Sequence, residues 1–133
     1  MSAGEMDLRT LLAGMKPELQ PQEFVYVALS LGEPIPAGLR LFATIAEKEG
    51  NTLILERSEA ERAGLSFAFP CRMITLTVHS ALEAVGFLAA IAAKLTQAGI
   101  PANTISAFYH DHLFIPASKA DAAMAVLRSL SAD

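Results

Sequence analysis

The sequence predicts an α+β sandwich, a sheet covered on one side by two helices. Three observations carry this. Ile74, Leu76 and Val78 alternate with Thr75 and Thr77, the period-two pattern of a strand with one apolar face. Directly afterwards the apolar spacing becomes that of a helix, and Ser80 with Glu83 spells the Ser-x-x-Glu capping box. The second half as a whole then reads strand-helix-strand-strand-helix, to which the first half adds one more strand.

After a start expected to fray over residues 1–6, Leu8, Leu11, Leu12 and Met15 lie at helical spacing, and this helix should end before Pro17. Residues 18–22, flanked by Pro17 and containing Pro21, read as a connector. Phe24-Val-Tyr-Val-Ala-Leu29 is rich in strand formers. Residues 32–38 hold two prolines and two glycines and should form no regular element. Leu41–Ala46 and Thr52–Leu55 pair as a hairpin about Glu49-Gly-Asn51. Ser58–Ala63 is a short helix stopped by Gly64, and Leu65–Phe69 is extended up to Pro70.

Further on, Arg72–Val78 is a strand, and Leu82–Ala98 a helix stopped by Gly99 with Pro101 beyond. Asn103–Phe108 and His112–Ile115 are strands on either side of a hairpin at Tyr109-His-Asp111. Ser118 caps a last helix, which carries Ala120, Met124, Leu127 and Leu130 along one face. On the long helix Val85, Leu88, Ala92 and Leu95 form one apolar stripe, with Phe87, Ile91 and Ala84 in a second beside it. So wide an arc exceeds what one sheet covers, and implies a further layer from the first half or from another subunit.

Composition bounds the function. Apolar residues make up 53% of the chain and charged residues 18%, against an average of about 25% charged. With a net charge of −4 and no cluster of Lys and Arg, the chain lacks the basic stripe that nucleic-acid binding needs. No apolar run approaches a spanning helix, and no basic-then-apolar leader opens the sequence, so neither membrane nor secretion is expected. A single cysteine, Cys71, cannot form an internal disulfide and fits a reducing compartment. The expectation is a cytoplasmic protein of one domain, or of two small subdomains sharing a core.

Taken together, His79-Ser-Ala-Leu-Glu-Ala-Val-Gly86, Gly99-Ile-Pro-Ala-Asn-Thr-Ile-Ser106 and Tyr109-His-Asp-His-Leu-Phe-Ile115 resemble the ACT domain, a small regulatory fold. More closely they resemble stand-alone bacterial proteins made of two ACT-like halves, and Glu47-Lys-Glu-Gly-Asn-Thr-Leu-Ile-Leu55 extends the likeness into the first half. The resemblance implies an α+β fold of two ferredoxin-like βαββαβ halves, antiparallel sheets with helices packed on one face. The halves would be residues 1–69, the more divergent, and 70–133. It further implies an amino-acid-binding regulator or sensor, a homodimer or higher oligomer, with no catalytic activity and no cofactor. Two positions depart from the family pattern: Ala81 stands where a second Ser is expected, and Pro101 where Asn is usual after Gly-Ile. Both favour the rival reading, a structural dimerisation module whose ligand pocket is lost.

The leading candidate site is the helix start. A strand that stops and caps a helix gathers unpaired N–H groups at the positive end of the helix dipole, which suits an anion. The N–H groups of Ala81, Leu82 and Glu83, next to His79 and Ser80, would hold an α-carboxylate. The resemblance implies that carbonyls around Asn103, Thr104 and Ile105 receive the ligand's ammonium. The plain alternative is a capping box that only closes the helix, worth on the order of 1 kcal/mol.

His110 and His112 would share one face of an extended segment with Asp111 turned away, so metal binding is a third reading. Zinc would need further ligands, and only His79 and Cys71 offer themselves. No nucleophile motif or phosphate loop is present. Arg72 beside Cys71 could favour a thiolate, but a buried inert cysteine is the commoner case. Glu47, Glu49, Glu56, Glu59 and Glu61 read as a solvated edge.

Overall fold

The structure is a computed structural model that describes residues 4–132. It is a mixed α+β fold, as the sequence predicts. The strands are β1 (Pro17–Ser30), β2 (Leu41–Glu47), β3 (Gly50–Glu56), β4 (Ala68–Leu76), β5 (Asn103–Ser106) and β6 (Asp111–Pro116). The helices are α1 (Leu8–Gly14), α2 (Arg57–Arg62), α3 (Phe87–Gln97) and α4 (Ala120–Ala132). The strands form one six-stranded sheet in the order β2-β3-β1-β4-β6-β5.

The chain divides into two compact units: the residues up to Gln20 together with Arg72 onwards, and Pro21–Cys71. In sequence, the second unit interrupts the first. Within Pro21–Cys71, β1 pairs antiparallel with β3 (Val25 opposite Leu55, Val27 opposite Leu53), and β2 pairs with the other edge of β3. Val25, Val27, Leu29, Leu53 and Leu55 are alternate residues, so they share one face and bury against Ala60 of α2.

The other unit has the larger core. Ile74 and Leu76 of β4 and Leu113 and Ile115 of β6 present one face to three helices. Leu11 comes from α1, Phe87, Ile91 and Leu95 from α3, and Ala123, Met124 and Leu127 from α4. The spacings 87-91-95 and 120-124-127 are the stripes that a 3.6-residue period puts on one side of a helix.

Several boundaries differ from expectation, each for a physical reason. The connector at 18–22 is strand: Pro17 takes the first position, where no N–H is needed, and the Arg72 guanidinium donates to Gln20 O at 3.0 and 2.7 Å. Residues 1–3 of the expected frayed start lie outside the described residues, but Glu5 is fixed, forming a parallel bridge with Ser80. Ser118 lies inside a 3₁₀ turn, Ala117–Lys119, and α4 begins at Ala120. The largest difference is in α3. It starts at Phe87 rather than Leu82, so residues 77–86 are loop, and Val85 of the expected stripe is 83% exposed. Among the described residues no helix is long and apolar enough to cross a membrane.

This start position is testable by substitution. Leu95→Ala, in the core, is expected to cost about 2–5 kcal/mol in denaturant unfolding. Val85→Ala should change stability by less than about 0.5 kcal/mol, whereas a helix from Leu82 would have packed it.

Candidate functional site

The loop after β4 is held at both ends of its first stretch. On one side Glu5 N–H donates to His79 O at 2.8 Å, and Ala81 N–H donates to Glu5 O at 2.8 Å. Gly4 makes this approach possible. Its φ is +96°, and a Cβ there would stand 2.7 Å from Ala81 N and 2.8 Å from Ser80 C. On the other side the Ser80 hydroxyl donates to Asp111 Oδ2 at 3.0 Å, and both residues are buried. Ser80 is therefore not an N-cap. The capping box is present in sequence, but the chain turns at Leu82–Glu83 and Ala84 N–H donates to Ala81 O.

The helix is opened instead by Gly86, whose φ of +92° swings the chain into the α3 axis. The first intrahelical bond is from Ala90 N–H to Gly86 O at 2.9 Å, so the N–H groups of Phe87, Leu88 and Ala89 precede the helical ladder. Gly86 supplies no side chain to satisfy them.

The residues that carry these amides border a cavity of about 180 Å³. Its lining comprises Ser80, Ala81, Leu82 and Ala84 from the loop, Gly86–Ala89 from the start of α3, Ser106 from β5 and Asp111 from β6. Ser106 and Asp111 are register partners across the β5–β6 hairpin. The cavity falls below the roughly 300 Å³ at which pockets for drug-sized ligands begin, so its scale is that of a small metabolite.

Of the sequence-predicted site residues, Ser80, Ala81 and Leu82 meet at this cavity; His79, Glu83, Asn103, Thr104 and Ile105 are not in its lining. Ala81 N–H, one of the expected anion donors, is already used by Glu5. His79 packs its ring against Phe108 and Tyr109, with centroids 5.8 and 5.5 Å away, and its Nε2 is buried with no hydrogen-bond partner among the described residues. Sequence reasoning missed Asp111, Ser106 and the first turn of α3. The available signal was Gly86, a residue suited to ending a turn and opening a helix.

His110 and His112 do share a side, with ring centroids 6.5 Å apart. His112 Nδ1 lies 3.0 Å from Thr75 Oγ1, which also accepts from Gln20 Nε2. Burial, with His110 adding to it, lowers the His112 pKa below the ordinary imidazole value, and Asp111 opposes the shift. Among the described residues no three His, Cys, Asp or Glu side chains gather into a metal-binding group. Cys71 is fully buried and its thiol donates to Phe24 O at 3.3 Å. Burial first, then Glu23, pushes its pKa up to about 12.

A family model described as an ACT domain matches residues 3–72, and a second ACT-domain model matches residues 68–129. A Vibrio cholerae protein of unknown function, described as a possible transport protein, is 41% identical. The match covers 93% of this chain and 95% of that one, with a TM-score of 0.82. The ligand-free regulatory subunit of aspartate kinase from Thermus thermophilus shares the fold at 11% identity, covering 90% of this chain and 97% of that one (TM-score 0.66). Aspartate kinase from Clostridium acetobutylicum does so at 9% identity, over 95% of this chain and 36% of that one (TM-score 0.64). No curated protein matches the chain in sequence.

Two expected outcomes follow from the loop and the thiol. Gly4→Val should break the Glu5 bridge, seen as faster hydrogen exchange at the Ala81 amide while amides in the middle of α4 keep their protection. Cys71, a thiol rather than a thiolate at pH 8, should resist iodoacetamide in the folded protein and react on unfolding, as followed by intact mass.

Proposed function

The chain belongs to the ACT-domain family, and on that premise we propose that it is a regulatory or sensor protein that binds a free amino acid. Family membership supports a small-molecule-binding regulatory role; the amino acid as ligand is our reading of the cavity. The observation that carries it is the meeting of three first-turn amides, Phe87, Leu88 and Ala89, with a small polar-lined cavity. A carboxylate there receives N–H donors and the positive end of an 11-residue helix dipole. Ser80, Ala81 and Leu82 add to its lining from the loop.

In this proposal the protein has no catalytic activity of its own, works in the cytoplasm, and comprises two ACT-like halves, residues 1–69 and 70–133. It acts as a homodimer or higher oligomer. Leu82 (64% exposed) and Val85 stand on the cavity loop, so a ligand that reshapes the loop alters an apolar surface available to a second copy. Binding would favour one subunit pairing only through differential affinity for the two.

The rival, a structural dimerisation module, is favoured by one observation: the Ala81 N–H is already engaged by Glu5. Thermal unfolding and calorimetry against the twenty amino acids separate the two. The sensor is expected to gain about 2.7 kcal/mol at a ligand concentration of 100 Kd. A sedimenting dimer indifferent to all twenty would favour the module.

A further inference from the structure

We propose that Gln20, Thr75 and His112 form an acid-sensitive latch across β1, β4 and β6, closed while His112 is neutral and opened when it takes up a proton. The inference does not depend on what the cavity binds.

These three strands are neighbours in the sheet. Ile74, Leu76, Leu113 and Ile115 turn to the helices, so by alternation Thr75 and His112 lie on the opposite face. There Gln20 Nε2 donates to Thr75 Oγ1 at 3.2 Å, and Thr75 Oγ1 stands 3.0 Å from His112 Nδ1. Thr75 is buried, and its hydroxyl has one hydrogen to give. With the oxygen accepting from Gln20, that hydrogen is left for Nδ1. Nδ1 therefore accepts, and the hydrogen of the imidazole sits on Nε2. The chain runs one way, from Gln20 through Thr75, and ends on a neutral ring.

A proton on His112 turns Nδ1 into a donor. Nδ1–H and the Thr75 hydroxyl hydrogen then face each other, and a buried hydroxyl that turns away leaves its hydrogen bond unmade. The surroundings act in the same direction. His112 is half-buried, and the His110 ring, 6.5 Å away between centroids, adds like charge; Asp111 opposes them. Thr75 of β4 and Ile105, its register partner on β5, bring no charge to it. On β1, Glu18 lies two residues from Gln20 and is exposed, while the Arg72 guanidinium of β4 is bound to Gln20 O.

Burial first, then His110, lowers the His112 pKa below the ordinary 6.5. The stability that the latch contributes is therefore complete above pH 6.5 and is lost as pH falls through the lowered value. β6 begins at Asp111, which holds Ser80, so the latch lies one residue from the anchor of the loop after β4. Acid that opens the latch loosens the strand end on which that anchor stands.

The test uses the full chain with isotope-labelled histidine. At pH 7.5 the nitrogen resonances of His112 are expected to show the hydrogen on Nε2; a hydrogen on Nδ1 would overturn the latch. Thr75→Ala removes the donor to the neutral ring, so the His112 titration midpoint should rise, and Thr75→Ser should restore it. A midpoint in T75A that stays or falls would mean that Thr75 does not favour the neutral ring, and the proposal would go. Urea unfolding at pH 7.5 and pH 5 supplies the third measure. His112→Gln offers Thr75 an amide oxygen that does not titrate. Between the two pH values the folded-to-unfolded ratio of the original should fall by about threefold or more beyond that of H112Q. Equal losses would count against the latch. The tautomer needs no variant, so the proposal stays open to refutation even if the substituted proteins fail to fold.

Discussion

The hydrogen bond from Ser80 to Asp111 ties the loop after β4 to the first residue of β6 and organises the region around the start of α3. Ser80 had two possible uses. As a helix cap it contributes about 1 kcal/mol; as a donor to a buried carboxylate it contributes about 1.5–3 kcal/mol and relieves part of a desolvation cost. The second is larger, and the side chain points to β6. Everything downstream shifts with it. The residues that would have formed a first helical turn become a loop, and α3 begins at Phe87.

That shift moves the free amides. Had α3 begun at Leu82, its orphan donors would have lain next to Glu5, which claims the Ala81 N–H. With Gly86 as the left-handed corner, the orphans are those of Phe87, Leu88 and Ala89, residues that line the same cavity as Asp111. The Ser80 bond therefore ties Asp111 to the loop that leads into this helix start. Gly4 holds the loop from the other side, because only a residue without Cβ can pass so near Ala81 N.

How much of this was legible follows from which forces were local. Alternation in Val25–Leu29 and Ile74–Leu76, and the helical stripes of α3 and α4, are burial patterns written in consecutive residues, so the α+β architecture could be read directly. The helix start was also legible as a kind of feature, but not at the right residues. Its position depends on a bond between residues 80 and 111 and a bridge between residues 5 and 80, which no local pattern encodes. Asp111 was legible only as the residue pointing away from His110 and His112. That much follows from strand alternation; what it points toward does not.

In Pro21–Cys71 the strand β1 is followed by residues 31–40, which form no helix and hold Pro34 and Pro36 between two turns. Its only helix, α2, is six residues long, and the cleft beside it is lined by Glu23, Glu56 and Glu61, with Arg57 paired to Glu23 and Glu61. A carboxylate is repelled there. The larger hollow of this unit, about 370 Å³, is lined by Val27, Ala28, Thr52, Ser66, Phe67 and Ala68 with Tyr26, whose phenol burial pushes up to about 12. The unit has its own buried strand face, whereas the helix start beside Asp111 belongs to the other unit.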